Sequence, residues 1–264
     1  MEQKSGNKSL QTFQTNNYSK GKFAVSQGNF PILSLEDYLT WVDIGTTDDL
    51  DEHHQAIFLE LNWWLQIVCY RYKNPDSKVG IIQLMDDPKT SIRLPHLPIN
   101  SHFRHWIDLH GLGTEERLML ITTVALSLDD FLFFPLLEMM QTNFSSIIGG
   151  RIVNASRQFL PSIQTVLFLL GGISLKERAH YQKYFQSQHK QLPAWGIESK
   201  SAQSLRSGYE TEVEDEWKNL LISLRPAIWQ YFLGGAMPQP EENQQLPLTL
   251  LQSELQMDEL VLAD

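Results

Sequence analysis

Histidines are the first residues whose types and spacing could do chemistry here. Eight are present, and three share one segment: His102, His105 and His110. Since residues three apart lie on one helical face, His102 and His105 could bind zinc if a third ligand joined them. Asp108 is a weak third group and no cysteine is near, while the adjacent His53 and His54 would point about 100° apart on a helix. We therefore expect surface or capping histidines and no metal site.

The patterns of other catalytic sites are also missing from the sequence. Nucleotide hydrolysis needs a glycine-rich loop that continues into Gly-Lys-Ser/Thr, and none of the glycine pairs at 149–150, 171–172 and 234–235 continues that way. There is no Gly-x-Ser-x-Gly segment, and Cys69 has no charged sequence neighbour that would activate its thiol. Adjacent acids such as Asp129 and Asp130 are typical of helix starts. We expect no catalytic residue, no cofactor-binding residue and no enzymatic activity in this chain.

Aromatic residues offer a different kind of site, because they concentrate binding energy at protein interfaces. They are more numerous than one small core needs, so core packing accounts for most of them and an interface could use the rest. We look for recognition at exposed aromatics in two short segments. The six candidates are Phe131, Phe133, Phe134, Trp229, Tyr231 and Phe232.

Charge and composition narrow the class of protein. The net charge of −10 argues against nucleic-acid binding, which needs a basic surface. Acids are densest in the last quarter, where they either form a solvated surface or face a basic partner. No apolar run approaches the roughly 20 residues of a membrane span, the N-terminus has no signal-peptide pattern, and the single cysteine cannot form an internal disulfide. We expect a cytoplasmic protein without membrane contact.

Hydrophobic periodicity and capping signals predict a mainly α fold, a multi-helix domain with a small winged-helix-like or short-strand element. Three Ser-x-x-Asp/Glu boxes begin at Ser34, Ser127 and Ser174, and Thr114 is expected to cap a fourth helix. A short strand is expected at 79–84 and a loop at 190–208. Helices are expected at 34–41, 52–72, 102–109, 115–126, 128–141, 161–170, 175–188, 214–221 and 226–233.

Composition divides the chain into four parts. Residues 1–29 are polar and are expected to be disordered. An N-terminal helical part at 30–98 precedes the main helical domain at 99–236, and the sequence leaves open whether the two share one core. Residues 237–264 are expected to be a linker.

Three segments, in order, resemble one family. GTEERLML at 113–120, continuing to Ala125 and Leu126, resembles an "ER-L-L-L-ALA" helix, and GGR followed by FLPSIQTVLFLLGG at 149–172 is similar to "FGG…GFLPTGETALFLLAG". The third segment, 224–262, ends in MDELVL and resembles "LP…W-D-D-L-V-L". These patterns belong to the N-terminal region of AAA+ ATPases associated with extracellular contractile injection systems, which are phage-tail-like particles.

The resemblance implies that the chain is truncated before the ATPase core, so that residues 237–264 lead into an absent AAA+ motor domain. It implies a non-catalytic recognition or regulatory domain that serves effector loading or particle assembly. The implied partners are a toxin effector or its leader segment, injection-particle proteins and the protein's own motor domain. ATP and Mg are expected only for that motor, and the full-length protein is expected to be a homohexamer.

Three alternatives remain. The domain could pack on its own motor to set hexamer assembly or restrain ATP turnover without touching cargo. A winged-helix-like nucleic-acid module is disfavoured by the charge of −10. An independent enzyme is disfavoured by the missing catalytic patterns.

Overall fold

The computed structural model of the protein describes residues 50–141, 144–153, 158–200 and 217–238. Within these ranges it leaves out the side chains of Asp130, Phe131, Val153 and Gln158. The helix expected at 34–41, the disordered segment at 1–29 and nearly all of the linker lie outside the described residues. The described part is mostly helical with two small antiparallel strand pairs, which confirms the mainly α fold class.

The first described helix, α1, spans Glu52–Lys73 and lies at the centre of the domain. The Asp51 side chain caps it by accepting the backbone N–H of His54 at 3.0 Å. Its buried residues face several directions around the helix and include Trp63, Trp64 and Ile67, as expected for a helix covered on most sides. The helix predicted at 52–72 is therefore confirmed.

The remaining elements follow in short succession. The helices are α2 (Ile81–Asp86), α3 (His102–His110), α4 (Thr114–Leu128), α5 (Phe134–Met140), α6 (Ser145–Ile148), α7 (Ile163–Gly171), α8 (Leu175–Gln188) and α9 (Pro226–Phe232). The strands are β1 (Arg151–Val153), β2 (Gln158–Leu160), β3 (Ile197–Lys200) and β4 (Leu221–Leu224). Two-stranded antiparallel sheets form between β1 and β2 and between β3 and β4.

One core joins residues 50–98 to the main helical domain at 99–236, a question that the sequence leaves open. Helix α1 packs against α3, α4, α5, α7 and α9, all of which come from residues 99–236. The indole N–H of Trp64 on α1 donates to Thr122 on α4 at 3.0 Å, and both residues are fully buried. The long helix is therefore the element around which the main helical domain is assembled.

A buried ion pair also joins α1 to α4. Arg117 donates through Nε to Glu60 Oε1 at 2.7 Å and through Nη2 to the same oxygen. Among the described residues, Glu60 Oε2 has no hydrogen-bond donor. Burial raises the pKa of Glu60 to about 7, while the charge and hydrogen bonds of Arg117 act in the opposite direction. A carboxylate in this place is costly because only one of its oxygens is stabilised by donors.

A second buried cation, Arg71, fastens the end of α1 to the end of α7. Its guanidinium donates to the carbonyls of Leu169 and Leu170 at 2.9 to 3.0 Å and to that of Val79 at 2.9 Å. These acceptors include the last carbonyls of α7, which have no partner within their own helix. Arg71 thus acts as a C-terminal cap supplied by a neighbouring helix.

Several predicted boundaries are wrong for local reasons. Residues 81–86 form helix α2 where a strand was expected at 79–84, and the buried Ile81 and Leu84 have the spacing of a helical face. Helix α4 is capped at Gly113, one residue before the expected Thr114, because Glu116 accepts the Gly113 N–H at 2.9 Å.

The box expected at Ser127 does not cap a helix. Its hydroxyl instead donates back to the carbonyl of Thr123 at 3.1 Å, inside the last turn of α4. A 3-10 turn at Asp130–Phe133 then leads into α5, which replaces the single helix predicted to 141.

The sequence also missed both strand pairs. Strand β3 lies within the loop expected at 190–208, and β4 follows a 3-10 turn at Trp217–Asn219 where a helix was expected at 214–221. Each strand has only three or four residues, too few to show a clear alternation of apolar and polar positions. The helices predicted from Ser174 and at 226–233 are confirmed as α8 and α9.

None of the helices in the described ranges is long and apolar enough to cross a membrane.

Candidate functional site

A cluster of imidazole and phenol rings lies where α1, α3 and α9 meet. We call it the histidine–tyrosine junction, and its members are His53, His102, His105 and Tyr231. The ring of His102 stacks on that of Tyr231 at 4.3 Å and an interplanar angle of 7°. The ring of His102 also contacts that of His53, with 4.2 Å between the ring centroids. The junction therefore brings together His53 and Tyr231, which are 178 positions apart in the sequence.

Hydrogen bonds connect the members of the junction. The backbone N–H of His102 donates to His53 Nδ1 at 3.2 Å. His102 Nδ1 lies 2.7 Å from the carbonyl of Tyr231, and because a carbonyl only accepts, this nitrogen carries the proton. His105 Nδ1 and the Tyr231 hydroxyl are 2.6 Å apart. The bonds tie α9 to α3 and α3 to α1.

Local sequence signals bring these side chains together. Asp51 caps α1 and so places His53 in its first turn, while Ser101 caps α3 by accepting the Arg104 N–H at 3.2 Å. Pro226 occupies the first turn of α9, where its fixed φ suits a helix start. Gly234, with φ of +92°, ends α9 next to His53, since a Cβ on Gly234 would lie 3.2 Å from the imidazole. The start and the end of the described body therefore meet at the junction.

Aromatic packing extends the junction into the core. The rings of Trp106 and His110 lie 4.3 Å apart, and the Trp106 indole N–H donates to the carbonyl of Trp195 at 3.0 Å. Burial lowers the pKa of His110, and the nearby His105 adds to this effect. Beneath them Phe103 and Phe232 form an edge-to-face pair at 4.7 Å.

The contacts of the junction are those of a structural link between helices. The imidazole nitrogens of His102 and His105 that face Tyr231 are already hydrogen-bonded, and Asp108 pairs with Arg104 at 2.7 Å. Across the described ranges, no group of three or more His, Cys, Asp or Glu is arranged to hold a metal ion. The contacts of the junction join three helices and the two ends of the described body.

Most of the aromatic residues predicted as interface candidates are core residues instead. Phe133, Phe134, Tyr231 and Phe232 expose at most 4% of their surface, so the expectation that they are exposed is wrong. Phe133, for example, packs edge-on against Trp64 at 5.1 Å. Trp229 is half-buried, and the side chain of Phe131 lies outside the described residues.

Two other surface features were missed. Apolar side chains project into solvent at Ile99 and Leu175, which are 87% and 80% exposed. Helix α8 also has a basic exposed face, and residues 178–197, which include most of this helix, contain no Asp or Glu. In a chain with 31 acids this gap is the signal by which the surface could have been found.

Comparison with protein-family models, with curated proteins and with solved structures gives no match to this chain.

Proposed function

We propose that this chain is a non-catalytic recognition and regulatory domain that precedes an AAA+ motor serving a contractile injection system. In this function it holds a toxin effector, through its leader segment, or a particle protein in the cytoplasm of the producing cell. The motor, with ATP and Mg, supplies the force as a homohexamer. The proposal rests on the order of the three family-like segments in the sequence.

Among the structural observations, the histidine–tyrosine junction gives the main support to this proposal. A domain that acts ahead of a motor must pass force between its bound partner and the chain that leaves it. The last described helix, α9, is held by hydrogen bonds between Tyr231 and the two histidines His102 and His105, and not by apolar contact alone. Hydrogen bonds have directional requirements, so they resist displacement of α9 in a way that apolar packing does not.

The family-like segment at 149–172 has a matching structural role. Gly150, with φ of +79°, allows the ring of Phe159 to pack against the backbone, because a Cβ there would lie 2.6 Å from that ring. The Gly150 N–H donates to Ser162 at 2.9 Å, and α7, which follows, is buried along its whole length. The segment that resembles the family thus builds the turn, the β1–β2 pair and a central helix, which are features that relatives would need to keep.

A second candidate function is that the domain packs on its own motor and restrains ATP turnover without touching cargo. The hydrogen bonds that hold α9 also favour this second function, because a firmly held last helix would fix the orientation of the domain that follows it. The two functions predict different partners for the exposed residues Ile99 and Leu175.

Binding of purified effectors tests the first function. The immobilised full chain is offered each toxin effector encoded beside the injection system, with and without its leader segment, and each particle protein. We expect specific retention of one effector and its loss on removal of the leader. Ile99→Ser and Leu175→Ser are compared with Ile82→Ser, whose apolar side chain is less exposed at 42%.

Failure of every soluble effector and particle protein to bind would contradict recognition. Turnover of the motor joined to this chain, compared with the motor alone, then decides the second function. A recognition domain leaves basal ATP hydrolysis nearly unchanged, whereas a restraining domain lowers it.

A further inference from the structure

Helix α8 presents a basic stripe to solvent. Lys176, His180, Lys183 and Ser187 recur at spacings of four, three and four, so they lie in one line along the helix, and all are exposed. Tyr181 and Phe185 lie on the opposite face and are buried. The stripe therefore has no packing role in the described body.

The positive charges of this stripe are not neutralised by the described part of the protein. Neither Lys176 nor Lys183 has an ion-pair partner among the described residues, and the same is true of Lys190 just beyond the helix. Two acids close to this helix make other contacts. Glu177 lies against Gly80, and Glu116 accepts a hydrogen bond from Tyr184.

An exposed apolar side chain lies next to the stripe, at the first residue of the helix. Leu175 begins α8 and is 80% exposed. A surface that combines lysines with a bare leucine suits a ligand that carries both carboxylates and apolar side chains, because ion pairs give orientation and apolar burial adds affinity.

The C-terminal segment of the same chain has this composition. Residues 239–264 contain no Lys, Arg or His, and the nearest preceding basic residue is Arg225. Its carboxylates belong to Glu241, Glu242, Glu254, Asp258, Glu259 and Asp264. Between them lie apolar residues, namely Leu246, Leu248, Leu250, Leu251, Leu255, Met257, Leu260, Val261 and Leu262.

The segment is long enough to reach the stripe. The segment starts directly after Pro238, and its 26 residues, 239–264, would span roughly 85 Å if fully extended. A folded body of this size is only about 40 Å across, so every surface of it is within range. Exposed ion pairs are individually weak, but a tethered ligand is present at an effective concentration in the millimolar range. Weak contacts can therefore hold it.

We propose that the acidic, leucine-rich segment 239–264 binds in cis to the stripe formed by Lys176, His180, Lys183 and Ser187 and to the neighbouring Leu175. The bound segment covers Lys176 and Lys183, which have no ion-pair partner among the described residues. Any acidic partner of this surface must first displace it, which makes the segment a built-in competitor. The inference is independent of the proposed function, because it concerns contacts within one chain.

A fluorescent label on the segment tests the proposal in the full chain. Ser253→Cys provides a single reactive thiol, because the native Cys69 is buried and burial raises its pKa to about 11. The label's anisotropy reports whether the segment is held on the body. The variant Lys176→Glu with Lys183→Glu reverses the stripe, and Lys73→Glu with Lys89→Glu is the control with the same change in net charge at other exposed lysines.

We expect high anisotropy in the parent and in the control variant, and a clear fall in the stripe variant. Raising the salt concentration from about 0.05 M to 0.5 M should produce the same fall in the parent, because added ions screen exposed charges. Thermal melting of each variant checks that the body remains folded.

Three results would overturn the proposal. Equal anisotropy in the stripe and control variants would show that these lysines do not hold the segment. Low anisotropy in the parent would show that the segment is not held at all. Anisotropy that rises with protein concentration would show that the occupant is the segment of a second copy.

Discussion

His53 Nδ1 accepts the backbone N–H of His102 across 3.2 Å, and this bond joins the first turns of two helices whose residues are 49 positions apart. The bond belongs to the junction through which the start of α1, the start of α3 and the end of α9 are connected.

Replacing His53 by Phe should therefore destabilise the domain. The ring that packs on His102 is kept, while the half-buried His102 N–H loses its acceptor, which costs about 1 kcal/mol. His54→Phe is the matched control. It removes only an exposed contact with Asp51 and should cost less than about 0.5 kcal/mol. Urea unfolding measures both, and equal losses would contradict a specific role for His53.

The buried Glu60 should make stability depend on pH. Its pKa is raised from 4.5 to about 7 in the folded state, so between these values the folded protein binds more protons than the unfolded one. The free energy of unfolding then falls as pH rises through this window, by up to about 3 kcal/mol. Below pH 4.5 this carboxyl contributes no further slope.

Glu60→Gln isolates that effect. The amide cannot titrate, so the unfolding free energy of the parent minus that of the variant should fall from pH 5 to pH 8 and then level off. Both proteins carry the same other titrating groups, including His110, whose pKa is lowered by burial and whose slope has the opposite sign. A difference that is constant across this range would contradict the burial of a titrating Glu60.

Removal of the Arg71 guanidinium should uncap α7. Arg71→Met keeps most of the side-chain volume but leaves the carbonyls of Leu169, Leu170 and Val79 without this donor. We expect a loss of about 3 kcal/mol or more, since each unsatisfied buried acceptor costs about 1–3 kcal/mol. Arg104→Met, which breaks a surface pair with Asp108, should cost less than about 1 kcal/mol. Chemical unfolding compares them, and similar losses would count against the cap.

Two glycines with a similar positive φ differ in ψ and in the space around them, with ψ of 38° at Gly111 and −137° at Gly172. Gly111 has φ of +60° and open space around a built Cβ, whereas Gly172 has φ of +56° and a Cβ that would lie 2.2 Å from the Ser77 carbonyl oxygen. Gly111→Ala should cost about 1 kcal/mol from the left-handed backbone alone. Gly172→Ala should cost at least about 3 kcal/mol, because its combination of φ and ψ is accessible essentially to glycine alone and the Ser77 carbonyl must also move. Comparable melting temperatures for the two variants would contradict this packing.

Truncation of the aromatic residues tests whether they are core or surface. Phe133→Ala and Phe232→Ala should each destabilise by about 3–5 kcal/mol, because both rings are fully buried. Leu175→Ala and Ile99→Ala should stay within about 0.5 kcal/mol, because their side chains already face water. Phe variants that melt like the parent would restore the aromatics as surface candidates.

Local signals in the sequence predict the starts of some helices. Ser174 is recognisable as a cap because its hydroxyl accepts a backbone N–H only three residues further along the chain. Long amphipathic or apolar runs such as 52–72 then left little choice of element type.

Tertiary structure alone decided what the side chains do. A sequence pattern shows that Phe133 and Phe232 are apolar, but burial depends on which helices cover them, and those helices lie far away in the chain. The same holds for the short strands β3 and β4, which exist because each supplies the other's hydrogen bonds across a long separation.

The junction shows the same limit at a site. His102 and His105 were correctly placed on one helix, but their partner Tyr231 lies more than a hundred residues away and His53 approaches from another helix. Chain spacing predicts contacts only within an element, because the angles between packed helices are set by the whole core. That is why the histidines could be noticed from the sequence, while the tie that they make became visible only in the fold.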